Sequence, residues 1–213
     1  MNYLQLVNDF LIETQMEDTV QTLTSLRDDT EQAAVWVRDA WLEIQRARTW
    51  TFRWAVGVFP TSSGKRIYTL TDMGRTAGDK IVLDEVYALN GTKKLAQFNW
   101  RSSIGQYDTG VPDRVGQRPD KAIVLDPIPN GVHNVVFEYY AAPQVLIADD
   151  NEPWMDPSFH KAIIWKAVEN YAREQGNEWR GLYQAAIRSY NAIYATLLIE
   201  YLPEWQPTKP LMR

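Results

Sequence analysis

The chain reads as an α+β protein: a helical bundle built from N- and C-terminal helices, an inserted antiparallel β-sandwich or barrel-like region, and an extended C-terminal arm. Three observations predict this. Across residues 36–54 an apolar period of about 3.6 gives way to a period of about 2, so a helix runs into a strand. From Thr51 to Pro143 short apolar runs alternate with Gly, Pro and Asn-Gly breaks, the pattern of a small antiparallel sandwich or barrel. After Asp156-Pro157 the helical period returns twice and Pro203 ends it. The division expected is 1–50 with 154–202 for the bundle, 51–153 for the β insert and 203–213 for the arm.

In chain order, Asn2 caps a first helix to about Thr14 with Leu4, Val7, Phe10 and Leu11 on its face. Residues 15–30 are a polar connector that delivers Asp28 or Asp29 as the next cap. The second helix carries Ala34, Val37, Trp41 and Ile44 on one stripe, with Arg46 and Arg48 in its last turn, where cations suit the helix dipole. Phe52, Trp54, Val56 and Val58 then alternate with Thr51, Arg53, Ala55 and Gly57. Thr61-Ser62-Ser63-Gly64 separates the runs 56–59 and 67–70 as a hairpin. Asn90-Gly91 turns 81–89 into 93–98. Residues 99–107 are ambiguous, with Trp100 and Ile104 at the spacing of one helical turn. Further strands are expected at 112–117, 122–125 and 132–140, around the rigid turn Asp126-Pro127-Ile128-Pro129. The acidic loop 146–153 leads to Asp156-Pro157, an N-cap followed by proline at the first helical position. The third helix packs Phe159, Ile163, Ile164, Ala167, Val168 and Tyr171, and Gly176 stops it. The last carries a long stripe that includes Trp179, Leu182, Tyr183, Tyr190, Ile193, Tyr194 and Leu197.

A length of 213 residues and 45% hydrophobic residues give one or two folded domains with a real core. The net charge of -5 argues against a protein whose task is to grip DNA, though not against a ring through which DNA slides. There are no cysteines, so disulfides, thiolate catalysis and Cys-based metal sites are excluded. Residues 1–13 lack the basic start and continuous apolar run of a signal peptide, and no segment has the ~20 apolar residues of a membrane span. The protein is expected to be made and kept in a cytoplasm.

No enzymatic constellation is present. His133 and His160 have no carboxylate or hydroxyl partner at a catalytic spacing and read as structural or surface residues. No phosphate-cradling glycine motif occurs, and neither cofactor nor metal is expected. Asp149, Asp150, Glu152 and Asp156 offer oxygen ligands, but their spacing fits a solvated loop ending in a helix cap better than a cation site. Arg46, Arg48 and Arg53 could touch phosphates; dipole compensation and an exposed strand position for Arg53 account for them more simply. The stripe of the last helix is first of all core. That helix, about 24 residues and ~36 Å long, is long enough for Tyr194, Leu198 and Tyr201 to face another subunit. In the tail Pro203, Pro207 and Pro210 prevent helix formation, and Trp205 has no core of its own to join. Residues 203–213 are either a frayed end or an arm whose Trp205 and Leu211, with Lys209 nearby, fill pockets on a partner; we adopt the arm. Trp41, Trp50 and Phe52 are the expected structural anchors where helices give way to strands.

Taken together the motifs resemble the head-to-tail adaptor (connector) proteins of tailed bacteriophages, the tail tubular A-like group. The resemblance is carried by Ala40-Trp41-Leu42-Glu43-Ile44-Gln45 leading into Trp50-Thr51-Phe52, by Tyr68-Thr69-Leu70 after Gly64, and by Gly110-Val111-Pro112. It continues through Ile123-Val124-Leu125-Asp126-Pro127-Ile128-Pro129, Phe137-Glu138-Tyr139-Tyr140-Ala141-Ala142-Pro143 and Pro153-Trp154-Met155-Asp156-Pro157-Ser158-Phe159-His160. Thr71-Asp72-Met73-Gly74 departs from it, lacking the Pro-Asp-Asp-like turn. The resemblance implies a structural protein, not an enzyme: a homo-oligomeric ring, dodecameric in the family, in the virion neck between head and tail after assembly in the host cytoplasm. Its partners would be the portal, reached by Pro203, Trp205, Pro207, Lys209, Pro210 and Leu211, a tail or nozzle protein met by the β part, and genomic DNA crossing the channel without specific binding. The alternative is another virion assembly subunit, a tail or surface component, with a β-sandwich binding module.

Overall fold

A computed structural model describes residues 1–16, 19–24, 28–105 and 108–202. It has four α-helices, two antiparallel-dominated four-stranded sheets and a two-stranded pair, with no closed barrel among the described residues: an α+β fold. Contacts divide the chain into two compact units, Arg53–Ala142 and Met1–Phe52 joined with the chain from Pro143 onward.

The helical unit contains α1 (Tyr3–Thr14), α2 (Asp28–Ala47), α3 (Lys161–Gln175) and α4 (Arg180–Tyr201). Asn2 and Gln5 form a reciprocal capping box at the start of α1. α3 is the central element, packing against the other three, because its Ala162, Ile163, Ile164, Ala167, Val168 and Tyr171 are all buried. Small side chains in that set let helices approach; large ones from α1 (Leu6, Phe10, Leu11) and α2 (Val37, Trp41, Ile44) fill the space. Tyr3 closes the α1–α2 contact by donating to the Ala34 carbonyl at 2.6 Å, and burial pushes its phenol up to about 12. Residues 143–153, read from the sequence as the end of the β insert, make their contacts with the helices: Leu146 is fully buried in the helical core, and the Asn151 carbonyl accepts from the Tyr3 amide at 2.8 Å.

In the β unit, β1 (Trp54–Pro60), β10 (Asn134–Tyr140), β3 (Lys80–Ala88) and β4 (Lys93–Lys94) form one sheet in that order. β2 (Ile67–Tyr68), β8 (Ile123–Asp126), β7 (Arg114–Gln117) and β5 (Ala96–Gln97) form the second. β6 (Thr109–Gly110) pairs with β9 (Ile128–Pro129). The two larger sheets share one core, with Phe59, Phe137, Val86 and Val135 from the first and Tyr68, Val115, Ile123 and Leu125 from the second. The expectation of an antiparallel region is met by the long pairings, whereas the two-residue pairings β5–β7 and β6–β9 are parallel. Long connections permit this: residues 98–113 lie between β5 and β7, and the antiparallel pair β7–β8 lies between β6 and β9, so each partner returns in the same direction.

Local chemistry explains several differences from the sequence reading. Residues 51–53 form a 3-10 turn, so the strand begins at Trp54 and not at Thr51. The Asn90-Gly91 turn is not a two-residue hairpin. Leu89, Asn90 and Gly91 all have positive φ, and the ladder resumes at Ala88 opposite Lys93. Thr71-Asp72-Met73-Gly74 is held as a tight turn by Asp72, which accepts from the Thr69 amide at 2.8 Å and from Lys65 at 2.7 Å. Those bonds, led by that of Lys65, bring its carboxyl down to about 2. Met73 from the same turn plugs the β core.

Candidate functional site

The residues singled out as anchors form one aromatic cluster in the helical unit. Trp41 and Trp50 are fully buried. Phe52 contacts both indoles, 5.6 Å from Trp41 and 5.8 Å from Trp50, near parallel to both. Both indole nitrogens are satisfied, Trp50 Nε1 by the Ile44 carbonyl at 2.6 Å and Trp41 Nε1 by Gln144 Oε1 at 3.2 Å. Gln45 reinforces the same point: it is fully buried, donates to the Gln144 carbonyl at 2.9 Å and accepts from the Gln144 amide at 2.7 Å. A glutamine in a helix interior gives no sequence signal of such a role.

The end of α4 is fastened to this cluster. Tyr201 packs edge-on against Phe52 at 5.2 Å and Phe159 at 5.7 Å. Its hydroxyl accepts from the Asp156 amide at 2.8 Å, and its carbonyl accepts from the Thr51 hydroxyl at 3.2 Å. Tyr194 meets Trp50 edge-on at 5.8 Å, and Leu198 packs on the same core. These residues, considered from the sequence for contact with another subunit, are therefore engaged within their own chain. The exposed residues along the second half of α4 are Asn191, Ala192, Ala195, Thr196, Ile199 and Glu200. The expected partner-binding residues Pro203, Trp205, Pro207, Lys209, Pro210 and Leu211 lie outside the described residues; the described chain ends at Leu202, one residue past the anchored Tyr201.

A second polar cluster joins α2, α3 and α4, and the sequence reading missed it. Lys166 bridges Glu43 at 3.1 Å and Glu169 at 3.2 Å under the ring of Tyr190 at 5.4 Å, and Asn170 donates to Glu43 at 3.0 Å. Burial opposes ionisation of Glu43, but the bonds from Asn170 and Lys166 outweigh it and hold its carboxyl below the usual range. Burial raises the Tyr190 phenol. A spacing of i, i+3 between Lys166 and Glu169 was the available signal; the Glu43 partner is distant in sequence and was not visible.

The other candidates do structural work. His160 is buried, its Nε2 3.0 Å from the Met155 carbonyl. His133 Nε2 lies 3.0 Å from Asn130 Oδ1 in a β turn. Asp149 accepts from the Thr22 hydroxyl at 2.7 Å and the Leu23 amide at 3.0 Å, pinning the connector. Asp156 caps the turn at Ser158. Among the described residues no group of three or more His, Cys, Asp or Glu is placed to hold a metal ion. Arg53, expected at an exposed strand position, is partly buried instead, and its Nε donates to the Ala141 carbonyl at 2.9 Å. Arg46 and Arg48 are exposed. No helix among the described residues is long and apolar enough to cross a membrane.

The described geometry is thus one of aromatic anchors, polar clusters and surfaces. No curated protein matches the chain. A family model described as SU10 adaptor protein matches residues 1–199.

Proposed function

We propose, from the premise that this chain belongs to the SU10 adaptor protein family, that it joins the portal of a tailed phage to its tail. Family membership bears out the resemblance to phage head-to-tail adaptors and makes the protein a structural component of the phage particle. In our reading identical copies, twelve by the resemblance, form a ring in the neck, assembled in the host cytoplasm, whose channel passes the genome. The observation that carries this is the extent of the match: it runs through the first helices, the whole β unit and α3 into α4, so the family's pattern spans both units.

Two features support the finer reading. The net charge of -5 suits a channel that DNA crosses without being held, since a strongly basic lining would bind phosphates. Tyr201 is tied to Thr51, Phe52, Asp156 and Phe159, which fixes the end of α4 and suits an arm that must reach a partner in register.

Electron microscopy of the purified protein with portal tests the proposal. A ring seated on the portal is expected, and a monomer that ignores the portal overturns it. Deleting residues 203–213 is expected to leave the circular dichroism spectrum unchanged and abolish docking; unchanged docking rejects the arm. Trp205→Ala alone is expected to weaken portal binding by roughly 30-fold, the ~2 kcal/mol of an interface anchor.

A further inference from the structure

The outer face of the β1–β10–β3 sheet is apolar. The register sets three rows across it: Trp54–Tyr140–Lys80, Val56–Glu138–Val82 and Val58–Val136–Tyr87, with Lys94 opposite Tyr87. The opposite face of the same strands sends Phe59, Val135, Phe137, Ile81 and Val86 into the β core, so the pleat leaves these rows pointing outward. Trp54, Val56 and Val58 are 44%, 51% and 58% exposed. β1 also ends its sheet, with no strand beyond it among the described residues. An antiparallel sheet that faces water is polar on that side. A contiguous apolar face marks a surface that something covers.

The acids on this face are already engaged. Glu138 accepts from Trp54 Nε1 at 2.8 Å, and Glu85 holds Lys94 at 2.8 Å. Lys80, beside Tyr140, is left without an ion pair among the described residues. The β unit as a whole carries eleven Lys and Arg against nine Asp and Glu; the rest of the chain carries eleven against eighteen.

The matching surface is the acidic loop of the helical unit. Leu146 roots it in the helical core, while Val145, Ile147 and Trp154 are 45%, 76% and 46% exposed. Hydrogen bonds hold the loop. Gln144 accepts from the Trp154 amide at 3.2 Å and donates to the Glu152 carbonyl at 2.7 Å, and Asn151 Oδ1 accepts from the Ile147 amide at 2.9 Å. Asp150, Glu152 and Asp156 are exposed around these apolar side chains. One surface is apolar with a lysine outside any ion pair, the other apolar with two carboxylates, Asp150 and Glu152, outside any ion pair among the described residues.

We propose that the β1–β10–β3 outer face of one copy takes residues 145–154 of a neighbouring copy. Ile147 and Trp154 seat among Trp54, Val56 and Val58, and Lys80 meets Asp150 and Glu152. The proposal rests on the ring reading and deepens it. Two different patches meeting head to tail make a heterologous contact, the kind that propagates from copy to copy and closes into a ring when the rotation allows; pairing of Lys80 with the loop carboxylates sets its register.

The absence of cysteine makes the test clean. Val56→Cys and Ile147→Cys replace exposed side chains in the full-length chain. With portal present and a short bis-maleimide, mixing the two single variants is expected to give a covalent heterodimer, and the double variant a ladder of oligomers. Homodimers of Val56→Cys as the main product overturn the proposal in favour of face-to-face pairing. If the unmodified protein forms rings by mass photometry and the double variant gives no ladder, the contact is wrong and the ring stands. If neither rings nor ladder appear, the ring reading fails with it. Lys80→Glu is expected to weaken assembly several-fold, and adding Asp150→Lys with Glu152→Lys to restore it; failure of that rescue also counts against the pairing.

Discussion

At the scale of the residue, Phe52 and His160 show how single side chains hold the helical unit. Phe52 is near parallel to both Trp41 and Trp50 and near perpendicular to Tyr201, all within 5.8 Å, so Phe52→Ala removes three ring contacts at once. We expect a loss of about 2–4 kcal/mol in urea unfolding, the lower part of the usual range because Phe52 is only half-buried. Trp50→Phe keeps most of the packing but strands the Ile44 carbonyl, and about 1–3 kcal/mol is expected. His160 acts through pH. Burial depresses its pKa, outweighing the Met155 carbonyl and the Glu152 and Asp156 charges that favour the proton. The folded protein therefore binds this proton less readily than the unfolded chain. His160 contributes its stability in full above the ordinary value of about 6.5, and the contribution is lost as pH falls through the lower folded value. Unfolding midpoints followed from pH 7.5 to 5 are expected to slope downward in the wild type and to be flatter in His160→Gln. An equal slope in both rejects His160 as the source.

At the scale of the element, β1 is where sequence and structure diverge most instructively. Its alternate sets are Trp54, Val56, Val58 and Ala55, Gly57, Phe59. The first set is the more apolar, yet the second faces the core, because the Phe137 ring occupies the space above Gly57. A Cβ there would come within 2.5 Å of Phe137 Cζ. Gly57→Ala is therefore expected to destabilise the β unit by about 1–3 kcal/mol, measured by chemical denaturation, and Phe137→Leu in the same chain to recover part of it. The period of 2 was legible; which face turns inward was not, since it depends on Phe137, some eighty residues away. Helix ends with local rules were read well, whereas the expected hairpin across 61–64 does not form: β1 pairs with β10 and β2 with β8, in different sheets. The Asn2 cap, the Asp156-Pro157 start and the Gly176 stop appear where their chemistry puts them. The buried stripe of α2 follows its spacing in the same way. What depended on long-range partners was not legible: the Gln45–Gln144 clasp, the Lys166 bridge to Glu43, and the return of Tyr194, Leu198 and Tyr201 to their own core.

At the scale of the whole molecule, the described residues form two hydrophobic cores, one of helices and one of sheets, and these share no residue. The backbone passes between the units at only two points, Phe52–Arg53 and Ala142–Pro143. Each side of those crossings is closed within its own unit. Phe52 stacks with Trp41 and Trp50, while Arg53 and Asp79 bind the Ala141 carbonyl and the Ala142 amide. A core that holds its own ends in this way can open without drawing on the other, since stability is distributed over cooperative units and not spread evenly. Phe137→Ala makes the test, because Phe137 is fully buried among Phe59, Tyr139 and the facing strands. Its removal is expected to cost about 3–5 kcal/mol within the β unit. Native-state hydrogen exchange should then show amides of β1, β3 and β10 exchanging by roughly 10²–10³-fold faster or more, while those of α1 and α3 around Leu6 and Ile163 keep their wild-type protection. Equal acceleration in both sets would mean that the two cores unfold as one, and that outcome would remove the two-unit description of the molecule's stability.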